Sequence, residues 1–176
     1  MKILVVVDMQ NDFIDGVLGS PEAQAIVPNV IKKIAEYDKY KYPIIFTRDT
    51  HYRNYLQTQE GAKLPVEHCI YNTKGWNIRE GLEVANCYYV DKESFGWPHW
   101  KQTISGIVPL VDIDGIELVG LDSDICVISN ALLLKAFFPE IPITVDASCC
   151  AGVTPESHKN AIEAMKMCQI DIINEN

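Results

Sequence analysis

Ile116-Glu117-Leu118-Val119-Gly120-Leu121-Asp122-Ser123-Asp124-Ile125-Cys126-Val127 reads as a strand, a tight turn and the opening of a helix. The β-type run of residues 116–119 ends at Gly120, and residues 126–138 are strongly apolar over a helical length. A strand–turn–helix unit of this kind, once repeated, predicts parallel strands, which need long crossovers. It does repeat. Residues 3–7 are a continuous apolar run ending in Asp8, the pattern of a strand buried on both faces. Residues 27–37 carry Val27, Ile31, Ile34 and Ala35 at helical spacing, and Pro155–Met167 reads as the last helix. Further strands are expected at residues 43–47, 87–90, 141–145 and 170–173. The alternation predicts an α/β fold, a three-layer α/β/α sandwich around a mostly parallel, Rossmann-like sheet with right-handed crossovers. The chain of 176 residues fits a single domain, 1–176.

Composition narrows the function classes. An apolar share of 48% and a charged share of 22% are those of a soluble globular protein. The net charge of −9 argues against nucleic acid and an anionic membrane surface as partners, since both need basic side chains. The N-terminal apolar run is too short for a signal peptide, so a cytoplasmic location is expected. The six cysteines, with no Cys-x-x-Cys pair among them, are then expected as thiols. Neither glycine-rich phosphate motif, G-x-G-x-x-G or G-x-x-x-x-G-K-[ST], follows a strand.

In an open parallel sheet, ligands sit beyond the carboxyl ends of the strands, at the switch in strand order. Residues at those ends here are Asp8, Asp49 with His51, Lys92, and the turn from Asp122 to Cys126. Cys126 at a helix start would meet unpaired N–H groups and the positive end of the dipole, both of which favour a thiolate. The same N–H groups can hold an oxyanion. A nucleophile also needs a base and a cation to tune it. Asp8 would be the base and Lys92 the cation; the bland alternative is that the two form one structural ion pair. The connection after Asp49 runs to about Trp76 with little helical pattern, far beyond the usual ~2–6 residues. Asp49-x-His51, Glu60 and His68 lie in it, and two imidazoles with two carboxylates suit Zn²⁺, Mn²⁺ or Fe²⁺. Phe13, Trp76, Phe95 and Trp97 are candidates to line a pocket, Trp97 foremost. His99 and His158 read as non-catalytic, and Lys32 and Lys33 as a solvated helix face.

These residues resemble the isochorismatase-like hydrolase superfamily along nearly the whole chain. The likeness rests on Asp8-Met9-Gln10-Asn11-Asp12-Phe13, on Asp91-Lys92-Glu93-Ser94-Phe95, and on Gly120 through Val127. It continues through Asp146 to Gly152 and into Pro155-Glu156-Ser157-His158. The resemblance implies a catalytic triad of Asp8, Lys92 and Cys126. It also implies a cis peptide at Leu121–Asp122, with an oxyanion hole from the N–H groups of Asp122 and Cys126. A cysteine at position 126 points to amide hydrolysis in place of vinyl-ether hydrolysis. Within the superfamily, the loop is similar to that of nicotinamidases, with Lys63-Leu64-Pro65-Val66-Glu67-His68-Cys69 against their Pro-x-His-Cys stretch. That likeness implies a metal, foremost zinc, held by Asp49, His51, Glu60 and His68. Phe13, Leu64 and Trp97 would contact the substrate, and nicotinamide deamidation through a Cys126 thioester would be the reaction. It departs from the pattern in two places: the proline stands three residues before His68, and Asn72 replaces a glycine. A homodimer or larger homo-oligomer is implied. Two other readings stay open: a metal-independent amidase or carbamoyl hydrolase, and a non-catalytic binding domain.

Overall fold

The computed structural model describes residues 1–175. Strands β1 (Lys2–Val7), β2 (Ile44–Asp49), β3 (Cys87–Lys92), β4 (Gly115–Gly120), β5 (Ile143–Cys150) and β6 (Asp171–Ile173) form one sheet. Their order is β3-β2-β1-β4-β5-β6, and every pairing is parallel. Helices α1 (Asn11–Ile14), α2 (Pro21–Lys39), α3 (Gln59–Lys63), α4 (Trp100–Ile107), α5 (Ile128–Phe137) and α6 (Pro155–Met167) connect the strands. This is the expected α/β/α sandwich. None of these helices is long and apolar enough to cross a membrane.

The central strand shows why. Ile3, Val5 and Val7 pack with Trp100 and Ile104 of α4, Ala131 and Leu134 of α5, and Ile162 and Met165 of α6. Leu4 and Val6 point the other way, toward Ile14 of α1 and Ala23, Ile26, Val30 and Ile34 of α2. These five β1 side chains are fully buried, and each stabilises by about 1.5–3 kcal/mol. Period-2 alternation thus divides one apolar run between two cores.

Several boundaries differ from the sequence expectation. Helix α2 starts at Pro21, where Ser20 caps it by accepting from the Ala23 N–H. Its buried stripe is Ala23, Ile26, Val30, Ile34 and Tyr37, and Ile31 is exposed. Helix α4 was not anticipated: its eight residues bury only Trp100 and Ile104, and Trp97-Pro98 just before it reads as a loop. Cys126 lies in a π-helical turn (Ser123–Val127) that precedes α5.

The chain lays down β1, β2 and β3 in one direction and then returns to place β4 against the other side of β1. The switch in strand order therefore falls between β1 and β4. At this seam Gly120 has φ +119°, and a Cβ there would lie 2.1 Å from the Val7 carbonyl oxygen. Only glycine fits where the two strand ends approach this closely.

Lys33 is not part of a solvated face. Its ammonium stands 2.6 Å from Glu117 and 2.9 Å from Asp146, both buried beneath α2. Tyr37 also donates to Glu117, at 2.7 Å. Lys33→Met leaves two buried carboxylates without their cation and should cost about 3–5 kcal/mol. An unchanged urea midpoint at pH 7 would contradict this assignment.

Candidate active site

The ends of β1 to β4 each deliver one reactive group, because parallel strands stop at the same edge. Asp8 follows β1 in the left-handed region, with φ +46°, and its carboxylate meets Thr47 of β2 and Lys92 of β3. Asp49 and Lys92 end β2 and β3 and are direct partners in the parallel register. Cys126 follows β4 through the turn.

The structure brings Asp8, Lys92 and Cys126 together. Lys92 Nζ lies 2.7 Å from Asp8 Oδ2, 3.5 Å from Cys126 Sγ and 3.5 Å from Asp49 Oδ1. Lys92 and Asp8 are fully buried, and Cys126 is 5% exposed. The hydroxyl of Thr47 donates to Asp8 Oδ1 at 2.6 Å. Burial pushes Asp8 above the usual carboxylate range, against the pull of Lys92. Lys92 stays protonated, because its anionic neighbours, Asp8 first, overcome the burial that works against its charge.

Cys126 behaves differently from the helix-dipole expectation. Burial pushes its thiol well above the ordinary value near 9, Lys92 pulls it down, and Asp8 and Asp49 push it up again. Dehydration outweighs the lysine, so the resting group is a thiol. Asp8 and Cys126 share the Lys92 ammonium, which stands 2.7 Å from the one and 3.5 Å from the other. The Leu121–Asp122 peptide is cis, as expected. The Asp122 N–H donates to no backbone carbonyl among the described residues.

Beside the triad, Asp49, His51, Glu60 and His68 offer ligand atoms all within 4.8 Å of one another. His51 Nε2 stands 2.8 Å from Asp49 Oδ2 and 3.5 Å from Glu60 Oε1. It is nevertheless left without a well-directed hydrogen bond. His68 Nε2 lies 3.5 Å from the same Asp49 oxygen, while its Nδ1 donates to the Val66 carbonyl at 2.8 Å. That bond leaves Nε2 free as a lone pair directed into the cluster. Two imidazole nitrogens and two carboxylates around one point fit a tetrahedral zinc site. Asp49 stays ionised: burial works against its charge, but His51, His68 and Lys92 hold it well below the usual carboxylate range.

The loop that carries this cluster is tied to β1 by residues the sequence reading left without a role. Gln10 donates to the carbonyls of Asp49 (2.9 Å) and Trp76 (2.8 Å) and accepts from the Asp49 N–H at 2.7 Å. Asp12 accepts from the Cys69 N–H at 2.8 Å. Polar residues breaking apolar surroundings, Thr47 after Ile44-Ile45-Phe46 and Gln10 after Met9, were the available signal.

A cavity of about 710 Å³ opens above these groups. Phe13, Leu18, Leu64, Phe95, Ile125 and Val153 supply its apolar walls, and Asp49, Glu60, His68, Asp122 and Cys126 reach it. Phe13 and Leu64, expected to contact substrate, both line this cavity. Trp97 is not among the lining residues. Its ring packs against the core and its indole N–H donates to Thr103 at 2.9 Å, so Phe95 takes the place at the wall. Trp76 is likewise turned away, donating to Thr50 at 2.9 Å under the Arg48 guanidinium. His158 holds the nucleophile turn through Ser123 Oγ at 2.8 Å, a structural role.

With a doubly wound parallel sheet and a cysteine, aspartate and lysine gathered at its switch point, the comparison with known proteins is specific. Residues 2–175 match the isochorismatase domain, and the chain belongs to that family. It is 26% identical to a nicotinamidase of Schizosaccharomyces pombe, with 98% of this chain and 92% of that protein covered. Against a nicotinamidase of Saccharomyces cerevisiae the identity is 24%, over 99% and 100% of the two chains. Among solved structures, pyrazinamidase of Pyrococcus horikoshii in complex with zinc superposes with a TM-score of 0.84 at 25% identity, covering 99% of both chains.

Two outcomes are expected. Because burial holds Cys126 as a thiol, its alkylation by iodoacetamide in metal-free, ligand-free protein should still be accelerating at pH 9; a plateau below pH 8 would contradict the assignment. His51→Ala or His68→Ala should reduce bound zinc from about one ion per chain to well under half, read by metal analysis after dialysis, with the circular dichroism spectrum retained.

Proposed function

We propose that this protein is a cysteine amidohydrolase that deamidates a small ring carboxamide, nicotinamide foremost, to the acid and ammonia. The observation that carries the reading is the single edge at which Lys92 lies 2.7 Å from Asp8 and 3.5 Å from Cys126, beside the Asp49–His51–Glu60–His68 cluster. The nicotinamidase relatives and the zinc-bound pyrazinamidase support the choice of substrate.

In this reading Asp8 takes the thiol proton of Cys126, a transfer made feasible because burial has raised the base as well as the acid. Sγ then attacks the carboxamide carbon. The oxyanion is received by the N–H groups of Asp122 and Cys126. Lys92 offsets negative charge as it moves between Asp8 and the sulfur. Asp8 returns the proton to the leaving amine, and ammonia departs. Asp8 next takes a proton from water, which attacks the thioester carbonyl, and the acid leaves as Cys126 regains its thiol. Phe13 and Phe95 flank the ring, and the apolar walls exclude bulk water from the thioester. A divalent transition metal, zinc foremost, held by Asp49, His51, Glu60 and His68 would supply a Lewis-acid anchor for the ring nitrogen.

The metal-independent amidase reading is disfavoured by that same cluster, since four convergent ligands, three of them at the cavity wall, have no use in it. Purified protein should release ammonia from nicotinamide, and Cys126→Ala should lower kcat by at least about 10³-fold. Substantial turnover after that substitution rules the mechanism out.

A further inference from the structure

Three polar side chains stand in a row on the turn that carries the nucleophile, and two of them are engaged. Ser123 Oγ pairs with His158, and both Asp124 carboxylate oxygens lie 3.2 Å from the Val153 N–H that donates to them. Asp122 differs. It occupies the N-cap position, where aspartate ordinarily accepts from the N–H groups of the first turn. Here its side chain makes no capping hydrogen bond, and among the described residues no other side-chain hydrogen bond acts on its carboxyl. It lines the cavity together with Cys126. A residue of high capping propensity that declines to cap, on the same cavity wall as the cysteine, leaves its carboxyl free to meet a ligand.

We propose that the Asp122 carboxylate selects, among carboxamides, those that carry a cationic amine next to the carboxamide. The proposal rests on the reading of this cavity as a carboxamide site and adds a substrate class to it. The chemistry follows from the surroundings. Burial first, then the charges of Asp124 and Asp8, raise the Asp122 carboxyl to about 7. Its ionised form is therefore poorly compensated at neutral pH. An ammonium brought into the cavity supplies the missing partner and forms a charge-assisted hydrogen bond, roughly twice as strong as a neutral one. An anionic substituent at the same place would be repelled. Of the other acids lining the cavity, Asp49 and Glu60 belong to the metal cluster. Glu93 is solvent-exposed, where water screens its charge. Asp122 is the remaining carboxyl, and the one nearest in sequence to the nucleophile.

The test uses zinc-loaded Cys126→Ala protein, which binds without turnover, and two ligands matched in shape. These are 4-(aminomethyl)nicotinamide, cationic at pH 7, and neutral 4-ethylnicotinamide. Calorimetry should give a preference for the amine of at least about tenfold in Kd. Adding Asp122→Asn should reduce it below about twofold, while adding Glu93→Gln should leave it in place. The ratio of the two affinities cancels any shared effect on the backbone oxyanion site. No preference in the Cys126→Ala protein, no binding of either ligand, a preference that survives Asp122→Asn, or one that Glu93→Gln removes overturns the proposal. Loss of preference with intact nicotinamide turnover by the wild-type enzyme would refute Asp122 alone. Failure of that turnover would instead strike the reading of the site as a nicotinamide hydrolase.

Discussion

The site is organised around one ammonium that no water can reach. Lys92 is fully buried with Asp8 at 2.7 Å, and removing two such ions from water costs several kcal/mol each unless geometry compensates. Compensation here comes from more than a pair. Thr47 donates to the free side of Asp8, Asp49 approaches Lys92 from the neighbouring strand, and Cys126 closes the remaining side. Each of these contacts needs the parallel register in which Asp49 faces Lys92 and the seam at which Gly120 presses on Val7. The architecture therefore follows from the demands of a charge as much as from burial of apolar runs.

The same arrangement explains why the nucleophile is quiet at rest. A thiol set among two carboxylates and away from solvent holds its proton, whatever a helix start offers. In the proposed mechanism, reactivity is conditional on Asp8 taking that proton as substrate fills the cavity. The Lys92 ammonium lets the proton move without leaving net charge unbalanced in a dry place.

Much of this was legible in the residues, and for a definite reason. Strand ends in a doubly wound sheet converge, so Asp8, Asp49, Lys92 and the turn at Cys126 were pointed to one place by position alone. The parallel pairing followed from alternation, and α6 was bounded correctly by a proline start and its apolar stripe. What escaped was set by tertiary contact. Lys33 reads as solvated until Glu117 and Asp146 are known to lie beneath it. Trp97 follows Lys92 closely, yet its backbone N–H is captured by Asn130 and its ring turns to the core, leaving the wall to Phe95. The dehydration of Cys126 is likewise invisible in a motif, because it depends on what closes over the sulfur.

Asp49 sits astride two assemblies: one oxygen faces His51 and His68, the other faces Lys92. The four residues of the ion cluster are consequently unequal in how freely they can vary. If the cluster holds an ion, a descendant of this chain that abandoned it could lose His51, Glu60 and His68 one at a time with little harm to the Asp8–Lys92–Cys126 group. Position 49 would remain tied to aspartate by the lysine beside it. An aspartate standing there without its histidines would then be a relic of a discarded ion, kept in place by an unrelated obligation.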